Sequence, residues 1–138
     1  MPYAARTDVP IARTSLEISS LLDKHKASSV ATFRSAAGAS IVFEMNDRRI
    51  RFDLPLEISS DKRADQINRS RWRALLLCIK AKLESVESGI ETFEESFLAH
   101  VVMPDGKSVH EHVGPGIASA YRGEPLRPLL SPPKARSS

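Results

Sequence analysis

The sequence predicts an α+β fold: a small three-stranded antiparallel meander packed against helices, in the order α-β-β-β-α-α-α. Three observations carry this. The stretch "SIVFEMNDRRIRFDLP" alternates apolar and polar residues on either side of Asn46-Asp47, as a β-hairpin does. The later stretch "RSRWRALLLCIKAK" repeats apolar residues at about 100° per residue, as an amphipathic helix does. Ser/Thr-x-x-Glu tetrads, "TSLE", "SGIE" and "SVHE", precede or open the other periodic segments, the spelling of a helix start.

The first helix is expected over residues 15–26, with Thr14 as cap, Glu17 reaching back, and Ile18, Leu21 and Leu22 as its apolar stripe. It is too short to stand alone and must dock. "SSVATFRS", rich in β-branched and aromatic residues, reads as the first strand, and "AAGAS" with Gly38 as the turn after it. In the hairpin, a two-residue loop at Asn46-Asp47 pairs Phe43 with Ile50 and Ile41 with Phe52 on one face. It sets Glu44 against Arg49 on the other. A slip of one residue would reverse every side chain, so the pattern fixes the register. Pro55 ends the hairpin.

Ser60 or Asp61 is placed to cap the long helix. Trp72, Leu75, Leu76, Ile79, Leu83 and Val86 form its buried stripe, and Gly89 suits its end. Basic residues flank the stripe: Arg69, Arg73 and Lys80 on one side, Arg71 and Lys82 on the other. Leu77 falls on the far side and marks a second contact surface. The next helix is expected to open at the Ser88–Glu91 tetrad and to bury Ile90, Phe93, Phe97 and Val101. "PDGK" is a turn. The last helix is expected from Ser108, with Pro115 kinking or restarting it, to near Gly123. Residues 1–123 thus read as one domain. Residues 124–138, with four prolines, read as a flexible tail.

Bulk composition limits the function classes. The chain has 138 residues, enough for one modest core, and a net charge of +3, which permits nucleic-acid binding without demanding it. A single cysteine, Cys78, excludes an internal disulfide and a thiolate metal cage, and favours a reducing compartment such as the cytoplasm. Inside the long helix, Cys78 is expected to be a buried, inert thiol. No apolar run reaches the roughly 18 residues of a membrane span, and the first residues lack the apolar core of a signal peptide.

Catalytic chemistry finds little footing. There is no nucleophile elbow, phosphate-binding glycine loop or dinucleotide fingerprint, so no catalytic residue and no cofactor are assigned. His110 and His112 flank Glu111, with His100 across the turn. This spacing is not that of a zincin helix, so the three are weak metal candidates and read first as exposed or capping histidines. Glu44 and Asp53 are read as ion-paired sheet surface rather than as magnesium ligands. The basic features remain. Arg49 and Arg51 share the polar face of the hairpin, Arg48 sits at its turn, and Arg69 and Arg73 lie on the long helix. Such arginines can follow a phosphate backbone.

"NDRRIRFDLPL" and "RWRALLLCIKAKLESVESGIETFEESFLAHVVMPDGKSV" resemble a group of small uncharacterised proteins of tailed phages and prophages. The likeness runs from the hairpin to the Asp105-Gly106 turn. It carries no activity and no catalytic residues; it implies a phage-type origin and action in the cytoplasm of a host cell. With the residues above it gives two main expectations. One is a non-enzymatic accessory protein binding nucleic acid through backbone phosphates, with Arg48, Arg49, Arg51, Arg69 and Arg73 as contacts. The other is an interaction protein or homo-oligomer, an adaptor or inhibitor docking on a host or phage protein. Leu77 and the tail residues Leu126, Leu129 and Leu130 favour the second. A minor alternative has the same arginines sequester an anionic nucleotide.

Overall fold

The computed structural model describes residues 8–126, 128 and 129. Its elements are α1 (Ile11–Lys24), β1 (Ser29–Ser35), β2 (Gly38–Met45), β3 (Arg48–Pro55), α2 (Lys62–Glu87), α3 (Phe93–Phe97) with a 3-10 turn at Leu98–His100, and α4 (Val109–Tyr121). The order and the antiparallel β1-β2-β3 sheet are those the sequence predicts. So is the register of the hairpin: Phe43 faces Ile50, Ile41 faces Phe52 and Glu44 faces Arg49. Asn46 and Asp47 both take positive φ, 51° and 59°, which a two-residue turn needs to match the twist of its strands.

One face of the sheet is core. Ala39, Ile41, Phe43 and Met45 of β2 and Ile50 and Phe52 of β3 are buried together with Trp72, Leu75, Leu76, Ile79 and Leu83 of α2. Ile18 and Leu22 of α1 complete the same cluster. Phe97 closes its end, edge-on to Phe43 at 5.9 Å and to Phe52 at 6.3 Å. Edge-to-face contacts of this kind add about 0.5–1.5 kcal/mol to the area they bury. α2 is capped as expected by Asp61, whose carboxylate accepts from the Ala64 N–H at 2.8 Å. Backbone and Ser59 hydroxyl donors hold the Asp61 carboxyl below its usual range.

Several local expectations need correction. Helix α1 starts a turn before the "TSLE" tetrad. Pro10 is its N-cap, and the Arg13 and Thr14 N–H groups bond to the Pro10 carbonyl at 3.1 and 3.2 Å. The earlier start lets Ile11 pack against the core. Thr14 is therefore not a cap but an interior residue, fully buried, its hydroxyl without a partner among the described residues. The "AAGAS" turn contracts to Ala36-Ala37, and Gly38 opens β2. A Cβ at Gly38 would lie 2.3 Å from the Leu54 carbonyl oxygen, so glycine permits this close approach of strands.

The "SGIE" tetrad does not start α3. Gly89, at φ 78°, reverses the chain, and the Ile90 N–H returns to the Ser85 carbonyl at 3.0 Å. Residues 88–91 are thus spent leaving α2. Ser88 becomes the C-cap of α2, and Ile90 is 79% exposed rather than buried. The capping box lies one turn on, between Thr92 and Glu95. Phe93, Phe97 and Val101 are buried as expected. Ser108 and Glu111 form the expected box at the start of α4, which continues through Pro115. No residue of α4 is buried. Cys78 is exposed, not buried: it lies one step off the Leu75–Ile79 stripe, on the outward face. Of the tail, residues 127 and 130–138 lie outside the described residues. Residues 124–126, 128 and 129 carry no helix or strand, and the Leu129 side chain lies against Gly116 of α4.

Candidate functional site

The register that buries Phe43, Ile50 and Phe52 turns Arg49 and Arg51 to the other face of the sheet, away from the helices. The neighbours there are Ala31 and Phe33 of β1 and Val42 of β2. Val102, which follows the 3-10 turn, borders the same shallow recess. Glu44 accepts from Arg49 at 2.9 Å. Arg51 is more deeply engaged. It donates to the Gly106 carbonyl at 2.8 Å, to Asp53 at 3.3 Å, and to Glu111 of the α4 capping box. One guanidinium thus ties β3, the Pro104–Lys107 turn and the start of α4 together. The Ser108 N–H holds the Glu111 carboxyl below its usual range, and the Arg51 charge adds to this.

The other candidate arginines stand elsewhere. Arg48 points from the hairpin turn to Glu94 of α3 at 3.1 Å. Arg69 pairs with Asp65 one turn back along α2. Arg73 donates to Glu17 of α1 at 2.8 Å and pins α1 to α2. The fold brings Arg49 and Arg51 onto one surface, and places Arg69 and Arg73 on the long helix with Arg48 turned towards α3. Each of the five faces a carboxylate, so the basic pattern of the sequence is locally neutralised.

The histidines are also separated. His112 bonds to Asp105 at 2.8 Å across the turn, which lowers the Asp105 carboxyl below its usual range. His100 stacks on Phe52, ring centroids 4.0 Å apart. Burial, reinforced by the Lys82 charge, pushes the His100 imidazole below its usual value. His110 lies along its own helix, its ring beside Gly114. Among the described residues no group of three or more His, Cys, Asp or Glu is placed to hold a metal ion. No helix there is long and apolar enough to cross a membrane.

The least expected feature is β1. Six of its seven residues are exposed, and Val30 is half-buried. Phe33, a large apolar side chain, is 58% exposed. The opposite edge of the sheet is covered: Val101 bridges Ile50, and the Val102 N–H bonds to the Arg49 carbonyl at 2.8 Å. Among the described residues nothing comparable lies along β1. The signal was present in "SVATFRS", which puts Thr32 and Arg34 on one face and Ser29 and Ser35 on the other. A strand that carries polar residues on both faces suits the edge of a sheet. Leu16 and Leu77 mark a second exposed apolar groove, between α1 and α2, bordered by Arg13, Lys24 and Lys80. Comparison with known proteins found no matching family model, no matching curated protein and no matching solved structure.

Proposed function

We propose that this is a non-enzymatic interaction protein that docks on another protein chain through the open face and the β1 edge of its sheet. The observation that supports this is β1 itself. An uncovered strand presents a row of unpaired N–H and C=O groups to any extended segment, and strand addition is a common mode of protein recognition. Phe33, with Ala31, Val42 and Val102 beside it, adds an apolar anchor, and Arg49 and Arg51 supply a polar rim. Action in the cytoplasm of a host cell, as the phage resemblance implies, belongs to this proposal.

Nucleic-acid binding by the same face is the second reading, and Arg49 is the residue that favours it, since its side chain is the most exposed of the hairpin arginines. A phosphate must there displace Glu44 from Arg49, and must displace Asp53 and Glu111 from Arg51. Exposed pairs of this kind are worth about 0–1 kcal/mol, so the exchange is feasible but brings little net attraction. Replacing Phe33 by a photo-crosslinking phenylalanine analogue in cells distinguishes the readings. Protein adducts at position 33, absent from a control at Glu84 on α2, are the expected result. Nucleic-acid adducts alone would transfer the assignment to the second reading, and no adducts would remove both from this face.

A further inference from the structure

We infer that the segment received by β1 is the β1 strand of a second copy of this chain, paired antiparallel about Thr32 to give one continuous six-stranded sheet. This rests on the reading of the β1 edge as a docking surface and specifies its occupant.

The ladder sets which backbone groups are free. In an antiparallel sheet, alternate residues of a strand direct both backbone groups to the same neighbour. Ser35 and Gly38 close the two-residue turn, so Ser35, Phe33, Ala31 and Ser29 bond to β2. Val30, Thr32 and Arg34 therefore point their N–H and C=O groups outward. The far edge confirms the parity, because it is the Arg49 carbonyl that bonds outward to Val102 while the adjacent Ile50 faces Phe43 in β2.

These three outward residues are symmetric about Thr32. A two-fold axis there pairs Thr32 with the second copy's Thr32, and Val30 with the second copy's Arg34. Each such pair exchanges both backbone bonds, so every outward group of the strand is satisfied. A two-fold centred on Ala31 would pair only Val30 with Thr32, and one centred on Phe33 only Thr32 with Arg34, so each leaves the third outward residue without a partner inside the strand. The side chains agree. The strand's one charge, Arg34, meets Val30 and not its own copy, so no like charges oppose. On the open face Ala31 meets Phe33 of the second copy. Alanine is small enough for that ring to lie over it towards Val42, which covers the exposed aromatic. β1 also lacks the usual guards of a free edge, having no proline, no bulge-forming glycine and no lysine.

Because Thr32 pairs with itself, charge at this position tests the inference directly. Solution mass is measured by light scattering with reductant present, since Cys78 is exposed. The wild type is expected to double from 15.2 kDa as concentration rises. Thr32→Lys and Thr32→Glu should each remain single chains, and an equimolar mixture of the two should recover the doubled mass. Amide exchange in the wild type gives a second readout independent of these variants. Protection at Val30, Thr32 and Arg34 should grow with concentration, whereas Ala31 and Phe33 should be protected throughout. A wild type that stays at single mass overturns the inference, as does a Thr32→Lys variant that still doubles. A monomer that nevertheless crosslinks other proteins at position 33 would overturn the self-pairing alone and leave the docking surface standing.

Discussion

Individual side chains set the most local predictions. The buried Thr14 hydroxyl has lost water and gained no partner among the described residues. Removing an unsatisfied buried polar group while keeping its shape relieves about 1–3 kcal/mol of desolvation. Thr14→Val is therefore expected to raise the thermal midpoint, and Thr14→Ala to lower it through lost packing; calorimetry of both variants checks the pair. His100 gives a prediction in pH. Its pKa is depressed in the fold, chiefly by burial against Phe52. Below its ordinary value of 6.5 the unfolded chain takes up the proton first. The His100 contribution is thus full above that pH and is lost as pH falls from it through the lowered folded value. An NMR titration should place the His100 midpoint below 6.5, and His100→Leu should flatten the stability profile in that window.

Helices and strands were legible wherever periodicity was long. The Asn46-Asp47 hairpin and the α2 stripe each repeat their pattern several times; the hairpin register matched to the residue, and the stripe did so from Trp72 to Leu83, with Val86 only partly buried. Capping tetrads were read less well, for a physical reason. A Ser/Thr-x-x-Glu spelling states that a cap can form, but tertiary packing decides which turn is used. Ile11 drew α1 one turn earlier, and Gly89 spent the Ser88 tetrad on leaving α2. The candidate site was legible in composition and not in pairing. Arg49 and Arg51 were correctly placed on one face, but Gly106 and Glu111, which fix Arg51, lie over 50 residues away in the chain. At this scale the decisive test is α2. Ile79→Ala leaves a cavity between α2 and the sheet and should cost about 2–5 kcal/mol in denaturant unfolding. An unchanged midpoint would mean that the stripe is not core.

Across the whole molecule, stability is unevenly distributed. α1, α2, α3 and the sheet share one apolar cluster, whereas α4 adds only the partly buried Val109 to it and is otherwise held at its start by Ser108, Glu111, Arg51 and the His112–Asp105 contact. Elements anchored in this way open at lower free energy than those sharing a core. Arg51→Ala should lower that threshold further: α4 amides should exchange faster, while those of β2 and α2 keep their protection. The single tryptophan, Trp72, is fully buried in the opposite situation, at the centre of the cluster. Its emission reports the core, and far-ultraviolet circular dichroism reports all four helices. On heating, the dichroic signal should begin to fall before the indole shifts to the red. A melting curve followed by fluorescence alone would then describe a cooperative two-state protein, and one followed by helicity would not.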